Sequence, residues 1–195
     1  MNPATSSSRN RSPRRNEMSC LKDDLLSDDD GVVISALSAL DTLLRKSEVG
    51  ADYVPLLCRL LSRNDEVRTK ALWCIGKLGQ NKQGDSESLT IVSAMTADPE
   101  PENRENAAWA LGELAGTDVG NRESLDSLIS LLDDEDTHVR AMAAWSVGRY
   151  ADKLGIVRDS SLEPLHKMAA ESSAYLKKSA EFALERIMAL SDSAP

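Results

Sequence analysis

Four columns of identical residues recur along the chain at one interval: Arg68, Arg104 and Arg140; Ala71, Ala107 and Ala143; Trp73, Trp109 and Trp145; Gly76, Gly112 and Gly148, 36 residues apart each time. Four coincident columns mark a tandem repeat, and an interval of that length has room for two helices and their turns. Helix signals fill it: apolar residues at helical spacing, punctuated by clusters of Gly, Pro, Asn and Asp, with no alternating stretch that reads as a strand. The frame extends upstream at an offset of 35, where Val32, Ala36, Leu40 and Leu43 match Val67, Ala71, Ile75 and Leu78. Downstream it continues at 37, where Leu176, Ala180, Leu184 and Ile187 match Val139, Ala143, Val147 and Tyr150. A shorter apolar helix precedes each of these, as in DYVPLLCRLLS and SLDSLISLLDD. Five helix pairs result. No pair can bury its own apolar face, so neighbours must stack into an all-α solenoid with a continuous core. The expected units run approximately over 17–47, 51–80, 85–116, 122–153 and 160–190, in a single domain spanning 17–190 with a short tail at 191–195.

Residues 1–16 read differently. They are rich in Ser, Arg, Asn and Pro without apolar periodicity, and are expected to form a disordered basic tail. The tail holds Arg9, Arg11, Arg14 and Arg15 and no acid, so the overall charge of -9 leaves -13 on the remainder. A body that acidic disfavours nucleic acid as a general ligand, because neutralising phosphates needs clustered Lys and Arg. No apolar run approaches the roughly 20 residues that span a bilayer, and the N-terminal arginines are not followed by the apolar stretch of a secretory signal. Cys20, Cys58 and Cys74 lack paired spacing and number three, which fits a reducing, cytoplasmic setting.

A helical wheel assigns the repeated residues. With Val67 at zero and about 100° per residue, Ala71, Ile75 and Leu78 share one apolar stripe, within about 80° of it. Gly76 lies near 180°, on a flank where the next repeat can approach. Trp73 lands near 240°, away from the stripe, beside Thr69, Lys70 and Lys77. The tryptophans are therefore expected outside the core. Phe182 stands at the matching place in the fifth repeat and Ser38 in the first. The charges around this column change from repeat to repeat: Lys70 and Lys77; then Glu102, Glu105 and Glu113; then His138, Met142 and Arg149; then Tyr175, Lys178 and Arg186.

LLSRNDEVRTKALWCIGKLG and LLDDEDTHVRAMAAWSVGRYA, with acidic residues, Val-Arg and an Ala-rich helix, resemble HEAT-like repeats of the type found in phycobilin lyase subunits. The resemblance covers roughly residues 20–190. It implies a right-handed α-α superhelix whose second helices line a concave wall, with Trp73, Trp109, Trp145 and Phe182 projecting into that groove. It further implies that Arg68, Arg104 and Arg140 form a structural ladder to acidic turns. Asn103 stands where the pattern has Val, Val33 and Lys177 where it has Arg, and Glu185 where it has Gly.

Catalytic signatures are missing. The only histidines, His138 and His166, belong to no metal-spaced cluster, and no His-Glu dipeptide of the kind used by the HEAT-like deoxyhypusine hydroxylases occurs. The acid run at Asp133, Asp134, Glu135 and Asp136 reads as a solvated, N-capping turn. No phosphate loop or nucleophile elbow is present, and no metal or cofactor is expected. The leading expectation is a non-catalytic adaptor, a monomer or one member of a hetero-complex. It would bind a peptide or helix of another protein through Trp73, Trp109, Trp145 and Phe182, flanked by Lys70, Lys77, Glu105, Glu113, Met142, Arg149 and Arg186. Two other readings stand beside it: a phycobilin-lyase-like accessory subunit holding a tetrapyrrole, and nucleic-acid binding through the N-terminal tail.

Overall fold

The computed structural model describes residues 15–192, with side chains over 18–190. Among the described residues ten α-helices follow one another, with short 3₁₀ turns at some of their ends: α1 (Arg15–Leu25), α2 (Asp30–Leu44), α3 (Val54–Leu60), α4 (Asp65–Gln80), α5 (Ser86–Ala94), α6 (Pro101–Ala115), α7 (Arg122–Ser130), α8 (Thr137–Leu154), α9 (Leu162–Ala169) and α10 (Ala174–Asp192). The first helix begins at Arg15, inside the segment expected to be a tail; the rest of that segment, with Arg9, Arg11 and Arg14, lies outside the described residues.

Local chemistry sets the helix starts. Asp29, Asn64 and Asp136 stand at equivalent places and accept from the first free backbone N–H groups of α2, α4 and α8; Asp85 and Asn121 do the same for α5 and α7. At α6 Pro101 occupies the first turn instead, where its missing N–H costs nothing. The close of α8 is Gly155, whose φ of 64° is a left-handed conformation that glycine takes without strain.

The helices form two layers, and one apolar core runs between them. Odd-numbered helices make one layer; α2, α4, α6, α8 and α10 make the other and pack on one another more closely than the odd-numbered helices do. A stack whose one layer is tighter than its other bends toward the tighter side. Core residues come from both: Leu57, Leu125, Leu128 and Leu165 from the short helices, Val67, Ala71, Ile75, Leu78, Ala107, Leu111, Val139, Ala143 and Val147 from the long ones. In the first repeat the buried stripe is Val33, Leu37, Leu40 and Leu44, while Val32 is 38% exposed. Its helix meets a neighbouring repeat on one side only, so the stripe turns toward that side.

Candidate functional site

The arginine column lies at the inter-helix turns. Arg104 grips Asp134 of the next repeat through two parallel bonds of 2.7 and 2.8 Å, and also donates to the carbonyls of Asp98 and Pro99 in its own turn. Arg68 pairs with Asp98 at 2.6 Å and donates to the carbonyls of Leu61 and Arg63. Arg140 holds the carbonyls of Asp134 and Glu135 and stands 3.8 Å from Glu171. Where the first repeat has Val33, Arg63 reaches back from the second to the carbonyls of Ser27 and Asp28 and to the Asp30 carboxylate. Arg63 is in no repeating column, which is why periodicity alone misses it. Burial alone would raise the Asp134 carboxyl; the hydrogen bond from Arg104, the Asp136 N–H and the charges of Arg104 and Arg140 outweigh it and hold the group below the ordinary carboxylate range.

The tryptophans are neither free-standing nor sealed. Trp73, Trp109, Trp145 and Phe182 are all half-buried on the even-numbered layer. The later three rings each lie over the glycine of the preceding repeat: Trp109 over Gly76, Trp145 over Gly112, Phe182 over Gly148. A β-carbon on Gly112 would stand 2.7 Å from the Trp145 ring and 2.5 Å from Ser146 Oγ, so the helices could not meet as they do. In the first repeat that column holds Asp41, and the Trp73 indole N–H donates to its carboxylate at 2.8 Å. The wheel's assignment of the indoles to an outer face thus describes one edge of each ring; the rest packs on the neighbouring unit. Trp73 and Trp109 also stack on each other, with ring centres 4.7 Å apart.

Residues four places after each ring complete the row. The Lys77 ammonium stands 5.0 Å from the Trp73 ring and 5.7 Å from that of Trp109; Arg149 lies 5.4 Å from Trp145 and Arg186 5.2 Å from Phe182. Cation and ring face attract at such distances. Glu113, expected as a surface flank, is instead buried: it accepts from Gln80 at 3.0 Å and faces Arg149 at 3.4 Å, because the next repeat closes over it. Arg149 also donates to the Gly112 carbonyl at 3.1 Å. Met142 is half-buried against the core, and Lys70 half-buried beside Trp73.

Between α2, α4 and α6 this layer opens into a cleft of about 430 Å³, lined by Ser38, Asp41, Lys70, Trp73, Glu102 and Glu105 among others. The Glu105 carboxyl is pushed upward, first by burial and then by Asp136 and Glu102, against the opposing pull of His138. Asp41 was legible as the odd member of the glycine column; its hydrogen bond to an indole was not. Cys74 is buried nearby, its thiol 3.8 Å from the Leu37 carbonyl and pushed up to about 12 by burial, which leaves no thiolate for chemistry. Among the described residues no group of three or more His, Cys, Asp or Glu is placed to hold a metal ion, and no helix is long and apolar enough to cross a membrane.

The family model for HEAT repeats matches residues 88–185, half of the chain, and a single HEAT-repeat model matches residues 54–81. The chain belongs to the HEAT-repeat family. Both matches fall on the helix pairs joined by the arginine and Trp-Gly contacts. No curated protein sequence matches the chain. Solved structures of similar fold include an engineered protein from a structural-genomics consortium, 23% identical over 87% of this chain and 78% of that one, with a TM-score of 0.71. A designed armadillo repeat protein in complex with the peptide (KR)4 is 20% identical, with coverages of 90% and 88% and a TM-score of 0.68. Computationally designed armadillo repeat proteins for modular peptide recognition are 19% identical, with coverages of 88% and 82% and a TM-score of 0.64. At these identities the likeness establishes the fold, an α-solenoid.

Proposed function

We propose that this HEAT-repeat protein is a non-catalytic scaffold that binds an extended segment of another protein along its even-numbered layer. The observation that carries the reading is the row of Trp73, Trp109, Trp145 and Phe182, partly open and one repeat apart. Large rings held by their own packing offer contact area with little rotamer freedom left to lose on binding. The side chains beside them, Lys70, Met142, Tyr175 and Arg186, differ from unit to unit and would supply selectivity. The designed armadillo proteins of similar fold, one in complex with a peptide and others made for modular peptide recognition, lend the reading support.

Because the rings also join the repeats, replacing them confounds binding with folding. The cleaner test alters their neighbours. A displayed library of random peptides is panned on the full chain, and the recovered peptides are titrated against wild type and against a variant of two exposed neighbours, Tyr175→Ala, Arg186→Glu. The variant is expected to keep its helical circular dichroism and lose about tenfold or more in affinity. Recovery of no peptide, or equal affinity for both proteins, would sink the proposal.

A further inference from the structure

The even-numbered layer is acidic over its first three repeats, in a way that the internal contacts do not neutralise. In the cleft between α2, α4 and α6, Asp41, Glu102 and Glu105 face a single cation, Lys70. A second hollow of about 340 Å³ adjoins it through Thr69, Lys70 and Glu102, and adds Asp65, Glu66 and Glu100. Asp41 pairs with Arg45 and Asp65 with Arg68. Among the described residues, the side chains of Glu66, Glu100, Glu102 and Glu105 accept no hydrogen bond and form no ion pair, and Lys70 forms none either.

Glu66, Glu100 and Glu102 have an ordinary explanation, since they stand at the starts of α4 and α6 where a carboxylate meets the helix dipole. Glu105 does not. It lies one turn further along α6, half-buried, and burial opposes its charge. Among the described residues His138 pulls the other way, without a hydrogen bond or ion pair, so the carboxylate stays open to a cation from outside. Trp73 lines the same cleft, with Lys77 over its ring and Trp109 stacked on it, and guanidinium groups pair with carboxylates such as Glu102 and Glu105 beside it.

Resting on the scaffold reading above, we infer that the partner is a basic extended segment, and that its arginine side chains enter the Trp73 cleft between Glu102 and Glu105. The charge of the lining selects the occupant: with Asp41 paired to Arg45, the unpaired Glu102 and Glu105 outnumber Lys70, and they repel an acidic chain and attract a basic one.

The probes are a peptide of alternating Lys and Arg, and one of alternating Glu and Asp as control. Each is titrated into the full chain while indole fluorescence is followed, since Trp73 lines the cleft. The basic peptide is expected to bind and perturb the emission, and raising the salt from roughly 50 to 500 mM should weaken it strongly. A Glu102→Gln, Glu105→Gln variant keeps the shape and removes two charges; it is expected to bind the basic peptide about tenfold more weakly. Equal binding of the acidic control, or no loss in the double variant, overturns the inference. If panned peptides respond to Tyr175→Ala, Arg186→Glu but not to the two glutamine substitutions, the scaffold stands and the basic partner falls. If no peptide of any charge binds, both fall. A chain whose own N-terminal arginines filled the cleft would bind the basic peptide only once Arg9, Arg11 and Arg14 were changed to Gln, and that result also overturns a separate partner.

Discussion

At Gly148 a methyl group would stand 2.7 Å from the Phe182 ring and 2.9 Å from the Ala183 Cα, both on the next helix. The glycine is there for its neighbour, since its own helix would be better served by alanine. Helix propensity favours Gly148→Ala by up to about 1 kcal/mol, whereas overpacking costs about 1–3 kcal/mol, so we expect a net loss near 1 kcal/mol in urea unfolding. A gain in stability would show that the ring slides aside freely. The tryptophan and the glycine of one Trp-x-x-Gly belong to two different contacts, each made with a different neighbour. Spacing revealed both residues; it could not reveal that they pair across repeats, because the pairing is made by residues 33 or 34 positions apart, as in Trp109 over Gly76 and Phe182 over Gly148.

Between elements, the arginine turns set how one pair sits on the next. Arg104 and Asp134 are 10% and 9% exposed, so their parallel hydrogen bonds are shielded from water. Lysine would keep the charge and lose the fork, and Arg104→Lys is expected to cost about 2 kcal/mol in urea unfolding, part of the 3–5 kcal/mol of a fully broken buried pair. The pair also carries a pH signature. Asp134 has its carboxyl depressed in the folded chain, so its ionisation stabilises that state at every pH above the unfolded value of about 3.9. The contribution is lost as the pH falls through the folded value. The stability gap between wild type and Asp134→Asn is therefore expected to stay constant from about pH 7 to 5 and shrink below about 4. A gap independent of pH into that acid range would rule out an ionic contact. Arg68, Arg104 and Arg140 were legible as a column, which the family resemblance implied to be a ladder, yet Arg63, which serves the first turn, was not, since no column contains it.

For the whole molecule, a linear stack means that every unit depends on its immediate neighbours alone. The first repeat has one neighbour, its ring position is Ser38, and α1 packs mainly on α2. Amide hydrogen exchange is expected to be fastest over α1 and α2 and slowest over α4, α6 and α8, whose faces are covered on both sides. Uniform protection along the chain would mean the array opens as one unit. Sequence by itself determined the helical class, the number of pairs, the arginine and Trp-Gly columns, and the apolar stripes of the repeats after the first, because these follow from short-range periodicity repeated along the chain. Tertiary structure alone decided that the indoles are shared between a junction and a face, that Glu113 is buried while Glu105 forms no hydrogen bond or ion pair, and that three repeats frame an acidic cleft. Those outcomes depend on how side chains from separate repeats meet at a given helix spacing, and a one-dimensional pattern does not encode that distance.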